Sequence, residues 1–305
     1  MNKWIAASRL RTLPLSSSAV ILGLACAFAT GQCPADLLRV AGAVLTVLTA
    51  VALQILSNYA NDYGDQISGV DRSGRAGRVS LVQQGAMTMG ELKAGILVTG
   101  TLCLLLGLGA VTLCWWGDLA GFGSFILLGA LAAVAAVTYT LGPSYSYYGL
   151  GDLFVFLFFG LVAVSGAECM LSHGFSLTGL LAGAGAGCNA ILVLNVNNLR
   201  DVDSDSRTGK RSIPVRLGIR GGKIYHLAVF LLGSGFLLAA ALMGCRLAGF
   251  FLVPLFIPLL RAVRYTVSPA HEGSSLEPMM RQTSVGASLL NFGLAFLLGA
   301  GCILG

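Results

Sequence analysis

Nine apolar stretches, each near the ~20 residues a helix needs to cross a bilayer, succeed one another along this chain: residues 13–32, 37–57, 94–114, 118–141, 150–171, 176–196, 225–245, 247–265 and 284–304. Inside hydrocarbon a backbone must satisfy its own N–H and C=O groups, and stretches of this length do so as helices. The expected fold class is therefore all-α, a polytopic membrane protein with nine transmembrane helices, read as a single domain over residues 1–305. Only 10% of the residues are charged, against roughly 25% in soluble domains, and the mean hydropathy is +0.82. The eighth stretch is short, lies between Arg246 and Arg261, and contains Pro254 and Pro258, which are expected to kink it. The first stretch is long and lacks a small-residue cleavage site, so no cleaved signal peptide is expected.

Basic residues orient the helices. With the N-terminus in the cytoplasm, 17 of the 19 lysines and arginines fall in cytoplasmic segments, and only Arg39 and Arg246 lie outside. The expected location is the inner membrane of a bacterium, with the polar loops on the cytoplasmic side. The net charge of +6 is then largely a topology signal, and no nucleic-acid partner is expected. The 8 cysteines form no CxxC pair and the 3 histidines are scattered, which argues against a zinc site or a disulfide framework.

Two polar clusters interrupt this pattern. The run NYANDYGDQISGVD, residues 58–71, follows the second apolar stretch directly, and NVNNLRDVDSDSRTGKRSIPVRLG, residues 195–218, overlaps the end of the sixth. Asn58, Asp62 and Asp65 have i, i+4, i+7 spacing, and Asn197, Asp201 and Asp205 have i, i+4, i+8 spacing, so as helices each set shares one face. Both clusters end helices that run in the same direction, which lets the two oxygen rows face each other across a cavity. Facing carboxylates near a low-dielectric interior need counter-charge. Oxygen-only ligands without Cys or His favour Mg²⁺, which is held by one or two carboxylates plus substrate phosphate oxygens. Asp62, Asp65, Asp201 and Asp205 are the expected metal-binding and catalytic residues. Arg78, Lys210 and Arg211, bases in the segments that follow the two acidic rows, are the candidates for phosphate contact. A secondary transporter with paired acidic helices is the competing class.

The stretches SRLRTLPLS, ILSNYANDYGDQISGVD, LVQQGAMT, YTLGPSYSYYGLGDLFVFLFFG and NVNNLRDVDSDSRTGKRSIPVRLG, which together span nearly the whole chain, resemble the UbiA superfamily of intramembrane aromatic prenyltransferases, and within it the menaquinone branch. The resemblance implies a nine-helix bundle around a central cavity, with both acidic motifs binding Mg²⁺ and polyprenyl diphosphate at the cytoplasmic side. It implies transfer of the prenyl group to 1,4-dihydroxy-2-naphthoate with loss of diphosphate and CO₂, giving a demethylmenaquinone. Homogentisate and hydroxybenzoate are the alternative acceptors. Asn58 and Asn197 join the aspartates in the matched motifs as substrate-binding residues. The superfamily's last aspartate of the first motif falls at Gly69 here, with Asp71 two residues later, and an arginine common in the family is replaced by Ser80. The loop 142–149 carries no base, which turns attention to Tyr145, Tyr147 and Tyr148 for the acceptor. Tyr139, Phe154, Phe156, Phe158 and Phe159 are expected as electron-rich walls for an allylic cation. Asp152 is read as a carboxylate at a helix N-terminus. The prenyl tail is expected to leave sideways into membrane lipid.

Overall fold

The computed structural model describes residues 2–29, 36–68, 80–142, 144–244 and 246–304. Every regular element among them is helical. In chain order these are α1 (Lys3–Ala7), α2 (Leu13–Ala29), α3 (Leu37–Ser68), α4 (Met89–Trp115), α5 (Leu119–Thr138), α6 (Gly151–Ser172), α7 (Leu177–Arg200), α8 (Val202–Arg207), α9 (Ile213–Gly244), α10 (Arg246–Leu252), α11 (Phe256–Val267) and α12 (Glu277–Leu304). Among the described residues 8 segments are long and apolar enough to cross a membrane, with α10 and α11 contributing to one of them. The ninth expected crossing is α2, whose 17 residues extend about 25 Å at 1.5 Å per residue. The expected break in the eighth crossing occurs at Pro254, where a single 3₁₀ turn, Val253–Leu255, separates α10 from α11. A proline there cannot donate to the helical ladder, and the tighter turn absorbs the loss.

Helix α7 is the axis of the bundle. It packs against α6, α9, α12 and α2, and its sequence GLLAGAGAGCNA explains why. With so many small residues, neighbouring backbones approach closely, and van der Waals contact takes the place of the hydrophobic drive that lipid does not supply. A Cβ on Gly160 of α6 would lie 2.5 Å from the Gly183 carbonyl oxygen and 2.7 Å from the Gly187 Cα. On the other side, a Cβ on Gly185 would lie 2.6 Å from Leu237 Cγ of α9. Large apolar residues elsewhere face outward, including Leu97, Leu104 and Leu131 on α4 and α5. An apolar exterior over a small-residue interior is the pattern expected of a body solvated by lipid.

Helix α9 is interrupted at Gly218, where φ is 72° and ψ is 167°. Only glycine adopts that geometry without strain. The break lets residues 213–217 lie against the polar end of the bundle before the membrane segment proper begins.

The close α6–α7 approach predicts that Gly160→Val destabilises the protein by about 1–3 kcal/mol or more. Thermal unfolding of the purified protein in detergent checks this. Gly123→Ala on α5, where a Cβ would meet nothing within 4 Å, is expected to unfold like the wild type.

Candidate active site

The first polar cluster rides on the last turns of α3, which continues to Ser68, well past the apolar stretch that ends at 57. Its side chains divide between two neighbouring faces. Asn58 is buried and donates from Nδ2 to the Ser8 carbonyl (2.8 Å) and to Thr12 Oγ1 (3.1 Å), so it anchors the N-terminal segment and does not line the cavity. Asp62, one turn on, is buried in an ion pair with Arg9. Asn61 and Asp65 instead reach the cavity wall. Asn58, Asp62 and Asp65 stay within about 60° of one another around the helix, as their spacing implies, but the N-terminal segment covers Asn58 and Asp62 and leaves Asp65 of the expected row at the cavity wall.

The second cluster is not on one unbroken helix. Helix α7 ends at Arg200, Asp201 has φ −100° and ψ 11°, and α8 follows. Backbone bonds nevertheless continue across the joint, from Asp201 N–H to the Asn197 carbonyl (3.1 Å) and from Asp205 N–H to the Asp201 carbonyl (2.8 Å). Arg200 is the hub. It donates to both carboxylate oxygens of Asp201 (2.8 and 2.7 Å), to Asn197 Oδ1 (2.7 Å) and to Glu277 of α12 (2.5 Å). Asp205, with no solvent exposure, receives Lys210 Nζ at 2.9 Å. Sequence reasoning named neither Arg9 nor Arg200 as a site residue. The signal available for Arg200 was its place beside Asp201 inside a buried motif, where a base has to be paired.

These elements close one end of a cavity of about 650 Å³. Asn61, Asp65, Asn197, Lys210 and Arg9 line the polar end, and Tyr139 and Tyr145 stand beside them. Tyr145 stacks on Phe154 with ring centroids 4.1 Å apart, meets Tyr139 edge-on at 5.4 Å, and is followed by Phe158 at 6.1 Å from Phe154. Burial, and after it the carboxylates of Asp152, Asp65 and Asp205 together with Tyr145, pushes the Tyr139 phenol well above its ordinary range. Burial does the same to Tyr145, whose hydroxyl donates to the Ala135 carbonyl at 2.9 Å. Both present aromatic faces to the cavity.

Helix α6 winds as a π-helix from Phe156 to Gly166, and this decides which of its side chains reach the cavity. Phe154, Phe158, Val162, Gly166 and Met170 line it at a step of four, with Val155, Phe159, Ala163 and Ala167 forming a second row beside them. In an α-helix that step overshoots a full turn by about 40°, and over this span the drift reaches about 160°. The wider i→i+5 turns hold the residues on one side. Phe156, expected as a wall, instead packs on α7, against the position of Gly187. Asp152 accepts from the Tyr225 hydroxyl at 3.0 Å, buried behind the cavity wall.

The loop 144–149 closes the polar end. Arg211 N–H donates to the Tyr147 carbonyl (2.9 Å) and Arg216 donates to the Tyr148 carbonyl (2.6 Å). Gly149, with φ 75°, sits where a Cβ would lie 2.5 Å from the Arg211 carbonyl oxygen, so no larger residue fits. Arg211 thus acts here through its backbone while its side chain is exposed. Arg78, Asp71 and Gly69 lie outside the described residues.

The donor set at the polar end is entirely oxygen, which suits a hard divalent ion such as Mg²⁺. Among the described residues no three Asp, Glu, His or Cys side chains stand together closely enough to hold an ion. The reason is local: Asp62, Asp201 and Asp205 are each drawn to a basic neighbour. The carboxylate at the wall is Asp65, with the amides of Asn61 and Asn197 beside it, whose oxygens accept from Thr140 (3.2 Å) and Arg200 (2.7 Å).

Residues 18–281 match the UbiA prenyltransferase family. The chain is 38% identical over 304 residues to the 1,4-dihydroxy-2-naphthoate octaprenyltransferase of Escherichia coli, covering 97% of this chain and 94% of that protein. It is 36% identical to the protein of the same name from Haemophilus influenzae, covering 98% and 97%. A solved UbiA homologue from Archaeoglobus fulgidus, bound to DMAPP and Mg²⁺, superposes with a TM-score of 0.60 over 95% of this chain and 98% of that one, at 18% identity. At that identity the likeness establishes the fold.

Arg200→Met would strand the buried Asp201, and breaking a buried pair costs about 3–5 kcal/mol. The variant is expected to unfold at a clearly lower temperature in detergent. Arg200→Lys is expected to recover little of the loss, because an ammonium cannot reproduce the forked contact.

Proposed function

This chain belongs to the UbiA prenyltransferase family, and we propose that it transfers a polyprenyl group from polyprenyl diphosphate to 1,4-dihydroxy-2-naphthoate in menaquinone biosynthesis, with release of diphosphate and CO₂. The observation that carries this reading is the cavity, in which acidic, amide and basic side chains meet at one end and aromatic and aliphatic side chains line the rest. That division matches a substrate with a charged head and a long apolar tail. The near full-length identity to two proteins named for this reaction supports the choice of acceptor. The positive-inside bias supports a cytoplasmic position for the polar end.

Asp65, Asn61 and Asn197 at the wall, with Asp62, Asp201 and Asp205 behind them, are the residues that would hold Mg²⁺. When bound, the ion supplies neutralisation of the charge that grows on the departing diphosphate. Lys210 at the wall, with Arg211 and Arg78 from the neighbouring segments, adds cationic contact to the same phosphates. The bond from the prenyl C1 to oxygen breaks, and its electron pair leaves with diphosphate. Tyr139, Tyr145, Phe154 and Phe158 present ring faces to the allylic cation, and their apolar surroundings keep water from trapping it. A ring carbon of the acceptor attacks C1. At the carbon bearing the carboxylate, departure of CO₂ returns the electron pair to the ring in place of a lost proton, so the step needs no base. This agrees with the engagement of Asp152 by Tyr225.

A polyprenyl tail outgrows the closed space. Leu104 and Leu108 of α4 line the cavity and are also 65% and 47% exposed on the flank of the bundle. The tail would pass there into lipid.

Purified protein is expected to convert 1,4-dihydroxy-2-naphthoate and a labelled polyprenyl diphosphate to a lipid product and CO₂ only when Mg²⁺ is supplied. Product with hydroxybenzoate alone, or Mg²⁺-independent transport in proteoliposomes with no prenylation, contradicts the proposal. Asp65→Ala and Asp201→Ala are each expected to lower turnover by at least about 100-fold while the protein still inserts in the membrane, as judged by its detergent-solubilised yield and elution profile.

A further inference from the structure

Two polar atoms at the cavity wall are buried without a hydrogen-bond partner and have opposite character: Gln54 Oε1, an acceptor, and Arg9 Nε, a donor. Gln54 is only 8% exposed, and an orphaned amide oxygen in such a place is costly unless something supplies the missing donor. Its orientation follows from a chain of contacts. The Ser8 carbonyl can only accept, so Asn58 must direct Nδ2 toward it (2.8 Å) and turn Oδ1 toward Gln54. Gln54 must then present Nε2 to Asn58 (3.3 Å), and Oε1 is the end left over. Arg9 lines the same cavity nearer its polar end, with its terminal nitrogen on Asp62, about two turns along α3 from Gln54. Ser146 Oγ is a third orphan at the wall, but a hydroxyl rotates to donate or accept and so selects less sharply.

Gln54, Ser57, Asn61 and Asp65 all line the cavity along α3. Gln54 stands two turns, about 10 Å, deeper than Asn61. With a diphosphate held at the polar end by Asp65 and Lys210, as proposed above, Gln54 would stand on the deeper side, toward which the prenyl C1 would project. What is needed there is a flat molecule carrying one hydroxyl donor and one anionic acceptor.

We propose that Gln54 and Arg9 form the head-group subsite for the aromatic acceptor, with Gln54 Oε1 accepting a ring hydroxyl and Arg9 Nε donating to the ring carboxylate. The inference rests on the function proposed above. It makes Gln54 a specificity-determining residue: an acceptor whose hydroxyl is blocked leaves the amide oxygen unpaired, the kind of mismatch that polar sites reject most strongly.

The test pairs a protein change with ligand changes. Anaerobic binding to the full-length protein in detergent is measured for 1,4-dihydroxy-2-naphthoate, its 1-methyl and 4-methyl ethers, and 1,4-dihydroxynaphthalene. One ether is expected to bind the wild type about tenfold more weakly than the parent. Gln54→Met is expected to weaken the parent by a similar factor and to abolish the penalty against that ether, so that the two losses do not add. Arg9→Gln is expected to weaken the parent but not the compound lacking the carboxylate, and KM for the prenyl donor is expected to change less than KM for the acceptor in Gln54→Met. Equal wild-type affinity for parent and both ethers overturns the proposal even if Gln54→Met fails to fold, and so does a penalty that persists unchanged in that variant. Normal turnover of dihydroxynaphthoate with unaltered Gln54→Met affinity sinks this inference alone, whereas a wild type that neither binds nor converts dihydroxynaphthoate sinks the functional reading with it.

Discussion

Carboxylates gathered at the end of an apolar bundle would repel one another and forfeit their hydration, and the structure tolerates the three buried ones of the two motifs because each faces a cation. Arg9 meets Asp62, Arg200 grips Asp201, and Lys210 meets Asp205. Desolvating an isolated carboxylate is so unfavourable that it would neutralise or turn toward water. The three pairs therefore govern how the N-terminal segment, the α7–α8 joint and the strand of chain after α8 are arranged around the cavity. On the function proposed above, a diphosphate and a divalent ion would bring both signs of charge together, so each internal pair would have a replacement partner when substrate arrives.

Arg200 couples this charge arrangement to the packing of the bundle. Its side chain joins Asp201 and Asn197 to Glu277 at the start of α12, and α7, which carries it, is the helix most enclosed by the others. The glycines that let α6 and α9 close on α7 thereby fix where the second motif emerges. On the opposite wall, the π-helical stretch of α6 keeps Phe154 and Phe158 in register with Tyr145. The rigid, close-packed side of the bundle thus aims the polar groups, and α4 and α5, with large exposed leucines, leave a flank toward lipid.

Much of this was legible from the chain. Hydropathy located the crossings, Pro254 marked the break between α10 and α11, and the recurrence of asparagine and aspartate at two helix ends pointed to one polar site, because such residues are too costly there to be incidental. The contents of that site were less legible. Asn58 and Asn61 are the same residue type three positions apart, yet Asn58 ties down Ser8 and Thr12 while Asn61 faces the cavity. Phe156 and Phe158 sit two residues apart in an unbroken aromatic run, and only the winding of α6 sends one to α7 and the other to the cavity. Gln54 carries no motif at all and becomes conspicuous only through the oxygen it leaves unpaired.

Composition and periodicity by themselves determined that this chain is a bundle of membrane-crossing helices with a doubled polar end, because the transfer free energy of each side chain is a local property that sums along a segment. Which oxygens face substrate, and which are spent on neighbouring cations and carbonyls, was decided only by tertiary structure. That choice depends on angles of a few tens of degrees about each helix axis and on partners distant in the chain, such as Glu277, 77 residues from Arg200, and neither is written in the local order of residues.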